Sequence, residues 1–122
     1  MKPVIPYLDD KRDRVRVAAV RALQSMVDPH VDALIASRLQ VDESNEVRIS
    51  AVAAAQVREP SEQLTAALAS AGTGAPDARV RYRAVELMTR WLPQRPDLRA
   101  TLERVASSDA ESTVRERAKA AL

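Results

Sequence analysis

One dipeptide recurs along this chain at an almost constant interval: Val15-Arg16, Val47-Arg48, Val80-Arg81 and Val114-Arg115 are separated by 32, 33 and 34 residues. A period of that size leaves few architectures open. Each copy must be one supersecondary unit that buries its apolar face only against its neighbours. After each pair, small or apolar residues fall at the offsets of a single helix face. The stripe reads Ala18, Ala19, Ala22 and Leu23 in the first copy and Ala51, Ala54 and Ala55 in the second. It continues as Ala84, Leu87, Met88 and Trp91 in the third and Ala118, Ala121 and Leu122 in the fourth.

Between these segments lie other helical patterns. Pro29 to Gln40 carries Val31, Leu34, Ile35 and Leu39; Ser61 to Ala71 carries Leu64, Ala67 and Leu68; Pro96 to Ala106 carries Leu98, Leu102 and Val105. Each repeat therefore reads as a helix pair. Pro29, Pro60, Pro93 and Pro96 stand at the joins, where a missing N–H and a fixed φ are tolerated. Within the repeats the turns are short and polar, with Asp13, Asn45, Asp77 and Ser112 as candidate N-caps. Gly72 to Asp77 is expected to form a longer loop.

Composition agrees with an all-helical chain. Aromatic residues make up 2% of the 122 residues and Phe is absent, which disfavours a β-sandwich or barrel. The same scarcity excludes the Trp, Gly, Tyr and Phe pattern of tetratricopeptide repeats. Nineteen basic residues are interleaved with 17 acidic ones, for a formal charge of +2, so the calculated pI of 9.4 overstates the basic character. Apart from Lys2, Lys11 and Lys119 the basic residues are arginines. Arginine suits bidentate recognition of carboxylates or phosphates, and a GC-rich gene accounts for the bias equally well. Without cysteine there is neither a disulfide framework nor a thiolate metal site. No apolar run is long enough for a signal sequence or a membrane span, and a cytoplasmic protein is expected.

The Asp, short gap, Val-Arg and spaced alanines resemble the HEAT-repeat family, including its bacterial HEAT-like members, over essentially the whole chain. The resemblance implies an all-α, right-handed α-solenoid of four helix pairs, the first truncated. As one domain over residues 1–122, its repeats would run about 1–27, 28–59, 60–92 and 93–122. In that family an Asp six residues before the Arg builds a hydrogen-bonded ladder between stacked repeats. Asp10/Arg16, Asp42/Arg48 and Asp109/Arg115 keep the spacing. Ala75 stands at the equivalent position of the third copy, so Arg81 is expected to lack its partner. Since neither end reads as a polar cap, the chain is expected to be a piece of a longer solenoid. Otherwise its apolar ends would be covered by partner domains or by self-association.

Chemistry-bearing groups are sparse. His30 follows Pro29 at a helix start and reads as a solvated histidine. No repeated His-Glu pairs of the kind HEAT-like hydroxylases use for iron are present. Gly72-Thr73-Gly74 lacks the spacing and lysine of a phosphate loop. Asp9-Asp10 and Asp42-Glu43 fall where turn and ladder roles already account for them. No catalytic, cofactor or metal site is expected, and the chain is read as not an enzyme.

The main expectation is a protein or peptide partner held on the second helices. Positions two and six residues after each Val point away from the core stripe and place Val17, Arg21, Ile49, Tyr82 and Glu86 along one groove. Arg79, Arg81 and Arg83 around Tyr82, with Arg90, Trp91, Arg95 and Arg99, support a nucleic-acid alternative. A lyase-like or regulatory subunit acting on a partner protein is the other alternative that the family resemblance admits.

Overall fold

The computed structural model describes residues 5–122. The expected start of the first repeat, at Met1, lies outside them. A short 3-10 helix, Ile5–Asp9, precedes α1 (Asp13–Leu23). Then come α2 (Val31–Val41) and α3 (Asn45–Gln56), α4 (Glu62–Gly74) and α5 (Ala78–Trp91), and α6 (Leu98–Ser108) and α7 (Ser112–Lys119). The described residues are all-helical apart from turns. Helices α1, α3, α5 and α7 form one layer and α2, α4 and α6 the other, each helix packed on the equivalent helix of the next pair. Among the described residues, the first helix position of the first pair holds a five-residue 3-10 helix.

The core is the layer between the two rows. Val47, Val80 and Val114 are fully buried, with Ile35, Leu39, Leu64, Leu68, Met88 and Leu102 packed around them. Val15 is half-buried, and Ala18 and Ala22 face solvent. The buried face of α1 is Arg16, Ala19, Val20 and Leu23, which differs from the expected stripe at Ala18 and Ala22; among the described residues it is the 3-10 turn that packs on α1 from the N-terminal side. At the other end Val114 and Ala118 are buried and Ala121 is half-buried. The outer surface of α6 and α7 carries Glu103, Ser107, Arg115 and Lys119 around Leu122.

Gly72 to Asp77 is not a long loop, since α4 runs on through Gly74. A Cβ at Gly72 would meet Met88 Cε, the flexible end of that side chain, so glycine here leaves room for Met88 between α4 and α5, and the buried packing carries the helix through a residue of weak propensity.

The helix starts show why the repeat has its spacing. Asp10, Asp42 and Asp109 each accept the backbone N–H two residues on, at 2.9 Å. That residue, Arg12, Ser44 or Glu111, is then the N-cap. The caps thus lie one position before the expected Asp13, Asn45 and Ser112, while Asp77 is a cap and accepts from Arg79 N at 2.7 Å. The displaced residues link repeats instead: Ser44 Oγ donates to Asp13 and Asn45 Nδ2 to Asp77.

All four arginines of the Val-Arg pairs donate to the backbone carbonyl six residues earlier: Arg16 to Asp10, Arg48 to Asp42, Arg81 to Ala75 and Arg115 to Asp109, at 2.7–2.9 Å. A carbonyl needs no particular side chain, so Arg81 is not orphaned by Ala75. Carboxylates come from the following repeat. Arg16 grips Asp42 in two bonds of 3.0 and 3.1 Å, and Arg81 grips Asp109 at 2.9 and 3.3 Å. The rung that Ala75 removes belongs to Arg48, whose Nη2 turns to the Gln40 carbonyl at 2.9 Å. The Asp42 side chain is 2% exposed and that of Arg16 8%, so the pair is sheltered from screening. Burial alone would raise the Asp42 pKa. Hydrogen bonds from Arg16, the Ser44 N–H and Arg38 outweigh it and hold the carboxyl below its usual range.

At the opposite end of the helices Arg58 pairs with Asp32 and donates to the Leu23, Gln24 and Met26 carbonyls, capping the end of α1 from the next repeat. Arg95 bonds the Pro60 carbonyl at 3.0 Å. Arg58 was not singled out by the sequence, since its position after α3 has no counterpart at a constant interval.

Candidate functional site

With their inner faces committed to the core, α3, α5 and α7 leave their outer faces to line one open groove of about 1030 Å³. Ile49 from α3, Ala78 and Tyr82 from α5 and Ala120 from the end of α7 give it an apolar floor. Ile49, Ala78 and Tyr82 are half-buried and packed against the core from outside, so the floor is held by the fold and still reachable.

The charged rim is unevenly paired. Arg79 bonds Asp77 and reaches across to Glu46 at 3.3 Å. The Arg79 side chain and then its backbone N–H hold the Asp77 carboxyl below its usual range, while Asp77 keeps Arg79 protonated. Glu116 is engaged by Lys119 at 3.3 Å. Arg83 and Arg117 line the groove and also a smaller adjoining hollow with Gln56, Leu87, Thr89 and Arg90. Among the described residues no carboxylate pairs with Arg83, Arg90 or Arg117.

Of the residues expected to meet a partner, Ile49, Tyr82 and Glu86 line this groove. Val17 and Arg21 lie outside it: Val17 is half-buried against the core and Arg21 is exposed on α1. The arginine row of the nucleic-acid reading is assembled only in part: Arg79, Arg83 and Arg90 border the groove and its adjoining hollow with Tyr82, and the others are engaged elsewhere. Arg81 is taken by Asp109, Arg95 by Pro60 and Arg99 by Glu103, and Trp91 is buried. Ser112, Thr113 and Arg117 were not anticipated, because none of them stands two or six residues after Val114.

His30 stands apart from the groove, exposed, with Nδ1 3.0 Å from Asp28 Oδ1. Asp28 accepts the His30 backbone N–H and then its ring, which keep its pKa low. Among the described residues no cluster of three or more His, Asp or Glu is placed to hold a metal ion. None of their helices is long and apolar enough to cross a membrane.

Stacked helix pairs, an internal arginine ladder and a groove across alternate helices define an α-helical repeat solenoid. No protein-family model and no curated protein sequence matches the chain. Among solved structures it is similar to a chain in the complex of CpcE and CpcF of phycocyanin lyase from Nostoc sp. PCC7120. The TM-score is 0.74 at 21% identity, over 99% of this chain and 79% of that one. The likeness shows the same fold. It also corrects the expectation that the chain is not an enzyme: a chain of this fold belongs to a lyase complex, so the fold gives no ground for that exclusion.

Proposed function

We propose that this chain is a helical repeat subunit that acts on a partner protein, in a lyase-like or regulatory role, and holds that partner in the groove of α3, α5 and α7. The observation that carries the reading is the groove's composition: a fixed apolar floor of Ile49, Ala78 and Tyr82 beside arginines with no carboxylate of their own. Such a surface combines the aromatic and arginine anchors that dominate protein interfaces. Likeness to a chain of a lyase complex supports action on another protein over passive tethering.

A photocrosslinking residue at Tyr82 should capture a partner that the same residue at Ser107, on the outer face of α6, does not. Mass spectrometry of the captured protein, incubated with and without the chain, then separates the two roles. A chain-dependent change in partner mass marks a lyase-like role; altered partner activity at constant mass marks a regulatory one. Equal capture at both positions would remove the groove from the reading.

A further inference from the structure

Among the described residues most arginines of this molecule are committed to partners within the chain. Seven of the sixteen arginines are held in ion pairs, and Arg48, Arg95 and Arg115 are bound to backbone carbonyls. Of the six that remain, Arg83, Arg90 and Arg117 converge on the two adjoining hollows. Only one carboxylate lining those hollows, Glu86, is left without an ion pair to offset them, because Glu46 and Glu116 are engaged. The unsatisfied charge is therefore positive, and it borders the apolar floor on one side.

Resting on the groove reading above, we infer that the occupant is an acidic amphipathic segment of the partner protein. Its carboxylates meet Arg83, Arg90 and Arg117 while an apolar side chain lies on Ile49 and Tyr82. Guanidinium forks match carboxylates in two parallel bonds, as this protein itself does at Arg16 and Arg81. Neighbouring helices lie about 8 to 10 Å apart, so crossing three of them takes roughly six residues of extended chain at about 3.3 Å each. A nucleic-acid strand fits the site less well. Its phosphates repeat without interruption, and Glu46, Glu86 and Glu116 stand among the arginines. Tyr82 is the groove's sole aromatic side chain for a base to stack on. A protein segment can set apolar or basic residues opposite those glutamates.

The test uses the full chain and three fluorescent probes: a synthetic Glu/Leu peptide, the same peptide with every Glu replaced by Gln, and a single-stranded DNA of like length. Anisotropy should rank the Glu peptide first, with binding that weakens as salt rises. Arg83→Gln and Arg117→Gln should each weaken it about two- to fivefold, as for a solvent-accessible pair, with thermal melts unchanged. Arg104→Gln, an unpaired arginine outside the groove, should not weaken it. Equal binding of the Glu and Gln peptides, tighter binding of DNA, or no binding of the Glu peptide at millimolar concentration would each overturn the inference. The groove reading has its own readout. If Tyr82→Ala weakens both peptides while the arginine variants change nothing, the groove stands and the acidic occupant falls. If no variant matters, both fall.

Discussion

Ala75→Asp would install the one carboxylate missing from the ladder. The backbone at Ala75, φ −64° and ψ 133°, matches Asp42 at −67° and 137° and Asp109 at −63° and 141°. An aspartate therefore enters without strain, at a site as buried as Asp42. By repeat equivalence its carboxylate faces Arg48 as Asp42 faces Arg16 and Asp109 faces Arg81. Two charge-assisted bonds would form, each worth about 1.5 to 3 kcal/mol, against the loss of the bond to Gln40 and the dehydration of a carboxylate. The expected net gain is about 1 to 2 kcal/mol, raising the melting temperature by roughly 3 to 8 °C. Urea and thermal melts of Ala75→Asp, Arg48→Met and the double variant close a cycle that isolates the pair. A gain that persists in full without Arg48, or a destabilised Ala75→Asp, would refute the ladder as the force that sets repeat spacing.

Removing a rung should cost more than adding one gains. Asp42→Ala leaves Arg16 buried without its anion and Arg38 without one of its two, and a loss of about 3 to 5 kcal/mol is expected in urea melts; a loss below about 1 kcal/mol would make the pair incidental. The same carboxylate governs acid sensitivity. Its folded pKa is lowered, so its contribution is whole above the unfolded value near 4 and is lost as pH falls through the folded one. Asp10, held at about 2 by Arg12, extends that window downward. Stability should fall between pH of about 4 and 2, and Asp42→Asn should flatten the decline; identical profiles for the two proteins would exclude Asp42 as its source.

The repeat was legible because stacking imposes it. Val47, Val80 and Val114 occupy equivalent buried positions, and equivalence in space appears as a period in sequence. The arginine spacing was legible too, but its partner was not. The bond spanning six residues runs to a carbonyl, which leaves no mark on side-chain identity, and the carboxylate partner comes from the next repeat. That is why Ala75 weakens Arg48 and not Arg81. Caps were misplaced by one residue because Asp42 and Asp109 each hold the N–H of the true cap, a local competition that cap preferences alone do not show. Groove positions on α3 and α5 followed from helix geometry. Val17 and Arg21 fell outside because the groove spans the second to fourth pairs.

The two arginine populations explain how such a chain can change what it binds without changing how it folds. Ladder arginines point along the stack, where their partners are supplied by the chain, and losing a partner strands a sheltered charge. Groove arginines project from the opposite side of the same helices, and on α5 the two kinds are two residues apart, at Arg81 and Arg83. A helix turns about 200° over that interval, so the alternation assigns one guanidinium to the fold and the next to the surface. Substitutions at Arg83 and Arg117 are therefore expected to leave stability within about 0.5 kcal/mol, the range for surface positions without structural partners. Substitution of Arg81 should unfold the protein in milder denaturant. Were Arg83→Gln as destabilising as Arg81→Gln, the division of labour between the two faces would be wrong.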